Sequence, residues 1–261
     1  MNIEIDNKYF HSELNDKTLV LYMNYCVFLE QETFKYRDQL LDFLDEVNKS
    51  DSVKVLVISN DHSDFNLENY KEKWNALYES KNYEGNILRV FRTYNQLLLK
   101  IKSIQKIVFS VNSKLANTML FCLSMAADLR FVSRDFYIDN DNHNFVNIPK
   151  GGAIFIESSL MYVNPVKMLF LSDKVFSQDL YEKHIVDEIF NQEELMERIL
   201  TIATRYSKFD YIELESVKMI EQSRSNKLEL ILQKENDYLL TCIRKKKNLS
   251  NPHDRNLIRI K

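Results

Sequence analysis

Three apolar runs rich in strand-forming residues punctuate the first half of this chain, and helical periodicity fills the gaps between them. The runs are Thr18-Leu19-Val20-Leu21-Tyr22-Met23, Val53-Lys54-Val55-Leu56-Val57-Ile58 and Ile107-Val108-Phe109-Ser110-Val111, with Leu129-Arg130-Phe131-Val132 as a fourth. A short, nearly continuous apolar run reads as a strand covered on both faces. Before the second run, Phe34, Tyr36, Leu40, Leu41, Phe43 and Leu44 recur at turn-like spacing over Glu30–Val47. Residues 85–104 repeat that pattern before the third, and Met119–Ala127 is a small apolar helix before the fourth. This alternation predicts an α/β fold with parallel strands. The first 25 residues alternate around a turn at Asn15-Asp16. Residues 66–84, polar and aromatic around Trp74, read as a loop carrying a short helix. Beyond residue 150 the chain reads as helical. Asn191 with Glu194 three residues on resembles a capping box opening a helix through Tyr206, and two further helices span about 210–223 and 226–247. The expected division is a core over 1–190 and a helical region over 191–261.

Glycine is scarce. Only Gly85, Gly151 and Gly152 occur, where average usage predicts about 18. Neither a G-x-G-x-x-G fingerprint nor a G-x-x-x-x-G-K loop can be written with them, so both nucleotide-binding devices are excluded. The net charge of −3 gives no general attraction to nucleic acid. No apolar run approaches a membrane span. Cys26, Cys122 and Cys242 are odd in number and far apart, as free thiols in a reducing compartment would be. The five histidines form no H-E-x-x-H and lie near no cysteine pair, so no zinc site is expected. The opening Met-Asn-Ile-Glu-Ile-Asp has no basic stretch before an apolar core, and the expected location is cytoplasmic.

Five segments, in order, resemble the crotonase (enoyl-CoA hydratase/isomerase) superfamily. Asp51–Asn60 followed by Phe65-Asn66-Leu67-Glu68-Asn69-Tyr70 is similar to its strand leading into Phe-Ser-Ala-Gly-x-Asp-Leu. Lys106–Arg130, with Ser110-Val111-Asn112, Ala116 and Ala127-Asp128-Leu129-Arg130, resembles its Ala-Val-Asn-Gly block ending in Ala-Asp-x-Arg. Pro149-Lys150-Gly151-Gly152 looks like its Pro-Asp-Gly-Gly turn. Leu169-Phe170-Leu171-Ser172 and Ile185-Val186-Asp187-Glu188 follow its Leu-x-Leu-x-Gly and Gly-Leu-Val-Asp stretches. The resemblance implies a stacked ββα core and C-terminal helices that build a homotrimer or homohexamer.

It also implies a chemistry: two backbone N–H groups hold a thioester oxygen as it becomes an enolate. The implied donors are Asn69 and Met119. Glu68 and Thr118-Met119-Leu120 stand where the family has glycines, which brings side chains to positions where a thioester would lie against bare backbone. The two hydratase glutamates correspond to Cys122 and Asn142, neither of which can transfer a proton as a carboxylate does. A shift of one or two residues brings Asp139, Asp141 or His143 to the second place, although Asp/Asn runs of this kind also make turns. Cys122, in an apolar helix, reads as an inert core thiol. Tyr70, Lys71 and Lys73 follow the first motif; as residues they read as a solvated face, while the resemblance to family members lacking the glutamates implies a catalytic role for such groups.

The tail is basic: Arg244, Lys245, Lys246, Lys247, Arg255, Arg259 and Lys261 face only Asp254. By resemblance Lys245, Lys246 and Lys247 would meet the phosphates of CoA or an acidic carrier protein, which long-range attraction would favour; as residues alone they form a solvated face. Two functions stay open. One is a divergent protein acting on an acyl-CoA or acyl-carrier-protein thioester, by isomerisation or decarboxylation as in polyketide assembly lines, with no cofactor beyond the CoA or phosphopantetheine carried by the substrate. The other is a catalytically silent subunit that binds or scaffolds.

Overall fold

The structure is a computed structural model that describes residues 3–24, 28–29, 33–60, 66–139, 150–151, 174–222 and 228–250. The N-terminal alternation becomes a hairpin, β1 (Phe10–Asn15) and β2 (Thr18–Met23), paired antiparallel from Phe10↔Met23 to Asn15↔Thr18. Asp16 takes the left-handed conformation at the turn, φ 52°, which an aspartate tolerates better than most side chains. Then come α1 (Thr33–Lys49), β3 (Val55–Ser59), α2 (Leu67–Glu79), α3 (Tyr83–Ser103) and β4 (Ile107–Asn112). β5 (Leu115–Asn117) runs straight into α4 (Thr118–Ser124), and β6 (Leu129–Ser133), β7 (Tyr137–Asp139) and β8 (Lys174–Phe176) follow. α5 (Ser177–Glu182), β9 (Glu188–Phe190), α6 (Leu195–Tyr206), α7 (Tyr211–Gln222) and α8 (Leu228–Ser250) complete the described chain.

The main sheet has the order β1-β2-β3-β4-β6-β9, parallel from β2 onward. Each crossover moves one strand in the same direction, so the chain winds as a single spiral. A second sheet, β5-β7-β8, carries the short strands between turns of that spiral. Alternate side chains of the main sheet enter two cores. Leu19, Leu21, Leu56, Ile58, Val108 and Val132 face α1 to α4, while Val20, Val55, Val57, Phe109, Val111 and Phe131 face Leu195, Ile199 and Ala203 of α6. Burial on both faces is why these strands read as continuous apolar runs.

Three sequence expectations need correction. Residues 66–84 are mostly helix, because Tyr70, Trp74 and Leu77 place an i, i+4, i+7 stripe against the core within an otherwise polar segment. Asn191 makes no side-chain capping bond; a 3₁₀ turn at Gln192–Glu194 leads into α6 instead. The chain after 150 is not wholly helical, since β8 and β9 are three-residue strands, too short to show a period of two.

Two motif aspartates and an arginine bind the spiral together. Asp128 Oδ2 accepts the Val108 N–H at 2.6 Å and the Lys218 ammonium at 2.8 Å, which ties α7 to β4. Asp187 Oδ2 accepts the Arg130 N–H at 2.7 Å, while Arg130 Nε donates to the Ile185 carbonyl at 2.7 Å. These residues satisfy backbone groups between neighbouring turns of the fold, which is sufficient reason for the Ala-Asp-x-Arg and Val-Asp motifs to be present without any chemistry.

Candidate functional site

The two implied oxyanion donors sit at the N-termini of α2 and α4. Asn66 caps α2: its Oδ1 accepts the Glu68 N–H at 2.8 Å and the Asn69 N–H at 3.3 Å. The Asn69 donor is therefore engaged within its own turn. Glu68 and Asn69 themselves are exposed. Asn117 caps α4 in the same way, accepting the Leu120 N–H at 2.9 Å. Every residue of α4 is buried, so the Met119 side chain, 3% exposed, has to find a partner inside. It finds Tyr70, whose hydroxyl donates to the Met119 Sδ at 3.4 Å. The Tyr94 hydroxyl donates to the Met119 carbonyl at 2.9 Å. Tyr70 packs edge-on to Trp74, Trp74 lies against Phe91, and Phe28 meets Tyr94. Tyrosine hydroxyls thus hold the Met119 side chain and carbonyl.

One turn further along α4, Cys122 stands where the resemblance implies the first hydratase glutamate. It is wholly buried; burial, with a smaller contribution from Glu235, pushes its thiol well above the ordinary value of 9.0, against a lowering by Lys150. A neutral thiol of that kind is neither nucleophile nor base. Gly151 presses on it from the Pro-Lys-Gly-Gly turn: a Cβ there would lie 2.5 Å from both the Cys122 Cβ and the Tyr94 hydroxyl, and its φ of +93° suits only glycine. Beside it the buried Lys150 pairs with the buried Glu235 of α8. Burial lowers the Lys150 ammonium and the Glu235 carboxylate counters that shift.

Asp141, His143 and Asn142 lie outside the described residues, as do Pro149 and Gly152; Asp139 ends β7. Lys73 lines an open cavity of ≈ 470 Å³ between α2 and α3 with Arg89, whose guanidinium is lowered by burial. The basic cluster of α8 divides. Arg244 forks onto Glu84 at 2.9 and 2.6 Å. Lys247 donates to the Tyr78 carbonyl at 2.5 Å and lies 4.7 and 4.0 Å from the ring centroids of Tyr78 and Tyr83. Lys246 is half-buried, its ammonium lowered by that burial, while Lys245 is exposed. Among the described residues no group of His, Cys, Asp or Glu converges to hold a metal ion. Nor is any of their helices long and apolar enough to cross a membrane.

Glu235, Lys150 and Tyr94 are the neighbours of Cys122 that sequence reasoning did not bring to the site. A signal for Glu235 was present. Leu228, Leu232, Leu239 and Ile243 form a buried stripe on α8, and Glu235-Asn236 fill the turn in the middle where two apolar residues are due.

Among solved structures, an enoyl-CoA hydratase from Bacillus halodurans superposes with a TM-score of 0.76 at 18% identity, covering 92% of this chain and 97% of that one. The chain has the crotonase fold. An enoyl-CoA hydratase from Mycobacterium avium subsp. paratuberculosis matches with a TM-score of 0.69 at 15% identity, covering 94% and 92% of the two chains. Pseudomonas aeruginosa DspI matches at 0.68 and 12%, covering 94% and 97%. No protein-family model matches the chain, and no curated protein matches it by sequence. The likeness of fold thus extends over 92–94% of the chain at 12–18% identity.

Proposed function

We propose that this chain is a crotonase-fold subunit without enolate chemistry, kept for binding or scaffolding. One observation carries the reading: the Asn69 N–H, one of the two implied oxyanion donors, is spent on the Asn66 cap. Substitution of Cys122 and Asn142 for the hydratase glutamates supports it, since each missing acid–base group is worth roughly 10²–10⁴-fold in rate. The test is hydration and double-bond shift of crotonyl-CoA, and decarboxylation of malonyl-CoA, with the full chain. The expected rates equal the buffer control, and turnover of any of the three overturns the reading.

The second reading keeps an acyl thioester, on CoA or on a carrier protein, as substrate for isomerisation or decarboxylation. What favours it is the Met119 N–H, which lies in the first turn of α4, where a helix supplies no internal acceptor. Calorimetry with CoA and with an acyl-carrier protein separates the two: binding without turnover fits a binding subunit, and binding with turnover fits the enzyme.

A further inference from the structure

The Pro-Lys-Gly-Gly turn and the last helix meet through one carboxylate. Glu235 Oε2 pairs with Lys150 Nζ, and Glu235 Oε1 accepts the Gly151 N–H at 3.1 Å. The Lys150 ammonium lies 5.7 Å from the Phe91 ring centroid and 5.3 Å from that of Tyr94. Side-chain exposure is 2% for Lys150 and 7% for Glu235, so water contributes little to either charge. An ammonium and an adjacent backbone N–H converging on the two oxygens of one carboxylate, between aromatic walls, is the donor set that holds a small carboxylate. The close approach depends on Gly151, where any side chain would strike Cys122 and Tyr94. The donors and the acceptor come from segments 85 residues apart, so the acceptor can be removed while the donors stay.

We propose that Lys150 and Gly151, walled by Phe91 and Tyr94, form a carboxylate receptor whose resident ligand is Glu235 of α8. It accepts a small external carboxylate when that side chain is cut back. The receptor follows from this geometry alone, whether or not the chain has enolate chemistry. Truncation strands a buried ammonium and a buried N–H; formate restores both contacts in the space vacated. A ligand present at ten times its dissociation constant shifts the folding equilibrium about elevenfold towards the native state.

The experiment is thermal unfolding of the full chain carrying Glu235→Ala, in sodium formate against sodium chloride at matched ionic strength. Formate is expected to raise the midpoint of this variant by several degrees and to leave the wild type unmoved. If Glu235→Ala is unfolded in chloride, recovery of native circular dichroism on adding formate is the same positive result. Glu235→Gln, which refills the receptor with an amide, and the double variant Lys150→Met/Glu235→Ala, which removes the ammonium, should respond no more than the wild type. A formate response equal in all three variants, or absent from Glu235→Ala in both melting and recovery, overturns the receptor.

Discussion

The Tyr70 hydroxyl donates to the Met119 thioether at 3.4 Å, joining the neighbour of one implied oxyanion donor to the residue that carries the other. The contact links α2 to α4 across 49 residues of sequence and is wholly buried. Its weight is in packing more than in the hydrogen bond. Met119→Ala is therefore expected to cost about 2–5 kcal/mol, and Tyr70→Phe, which keeps the ring and deletes a weak bond to sulfur, less than about 1 kcal/mol. Urea denaturation of both variants checks the difference; equal costs would refute a filled, packed site.

Cys122 makes the stability depend on alkaline pH. Burial keeps the folded thiol neutral and lifts it above 9.0, so the unfolded chain loses this proton first as pH rises. Above pH 9 the unfolded state then binds fewer protons than the native one, and this group's contribution to stability falls by about 1.4 kcal/mol per pH unit until the folded thiol also ionises. Cys122→Ala lacks that slope. Urea midpoints of the two proteins should converge on raising the pH from 9, and a constant gap would contradict a neutral buried thiol.

The lysines of α8 should separate in stability. Lys247, over two tyrosine rings and bonded to the Tyr78 carbonyl, is expected to cost about 0.5–2 kcal/mol on replacement by alanine. Lys245→Ala, at an exposed position, should leave the melting temperature unchanged. Differential scanning calorimetry distinguishes them. Equal losses would mean that the tyrosine pair does not hold Lys247.

The C-terminal helices carry apolar surface that one chain leaves uncovered. Ile212, Met219 and Ile220 of α7 are 69%, 59% and 68% exposed, and Leu230 of α8 is 54% exposed. A mass near three or six chains is expected by light scattering, with Ile212→Glu/Met219→Glu driving it towards one. A wild-type monomer would refute the assembly.

The four central parallel strands were legible from local pattern, because strands buried on both faces are mostly apolar, as Val55–Ser59 and Ile107–Asn112 are apart from Ser59, Ser110 and Asn112. The motif blocks were equally legible, since Asp128, Arg130 and Asp187 tie neighbouring turns of the spiral by side-chain-to-backbone bonds that other residue types make less well. The resemblance likewise implied Cys122 at the first hydratase position and left Asn142, Asp139, Asp141 or His143 for the second. It could not say what surrounds Cys122. The partner of Met119 lies 49 residues away, and that of Lys150 lies 85 away. Nothing in local periodicity encodes such pairs, because periodicity reports which face of an element is buried and not what it is buried against. Only the winding of the spiral, with α8 folded back onto α3, brings Tyr70 to the Met119 side chain and Glu235 to Lys150.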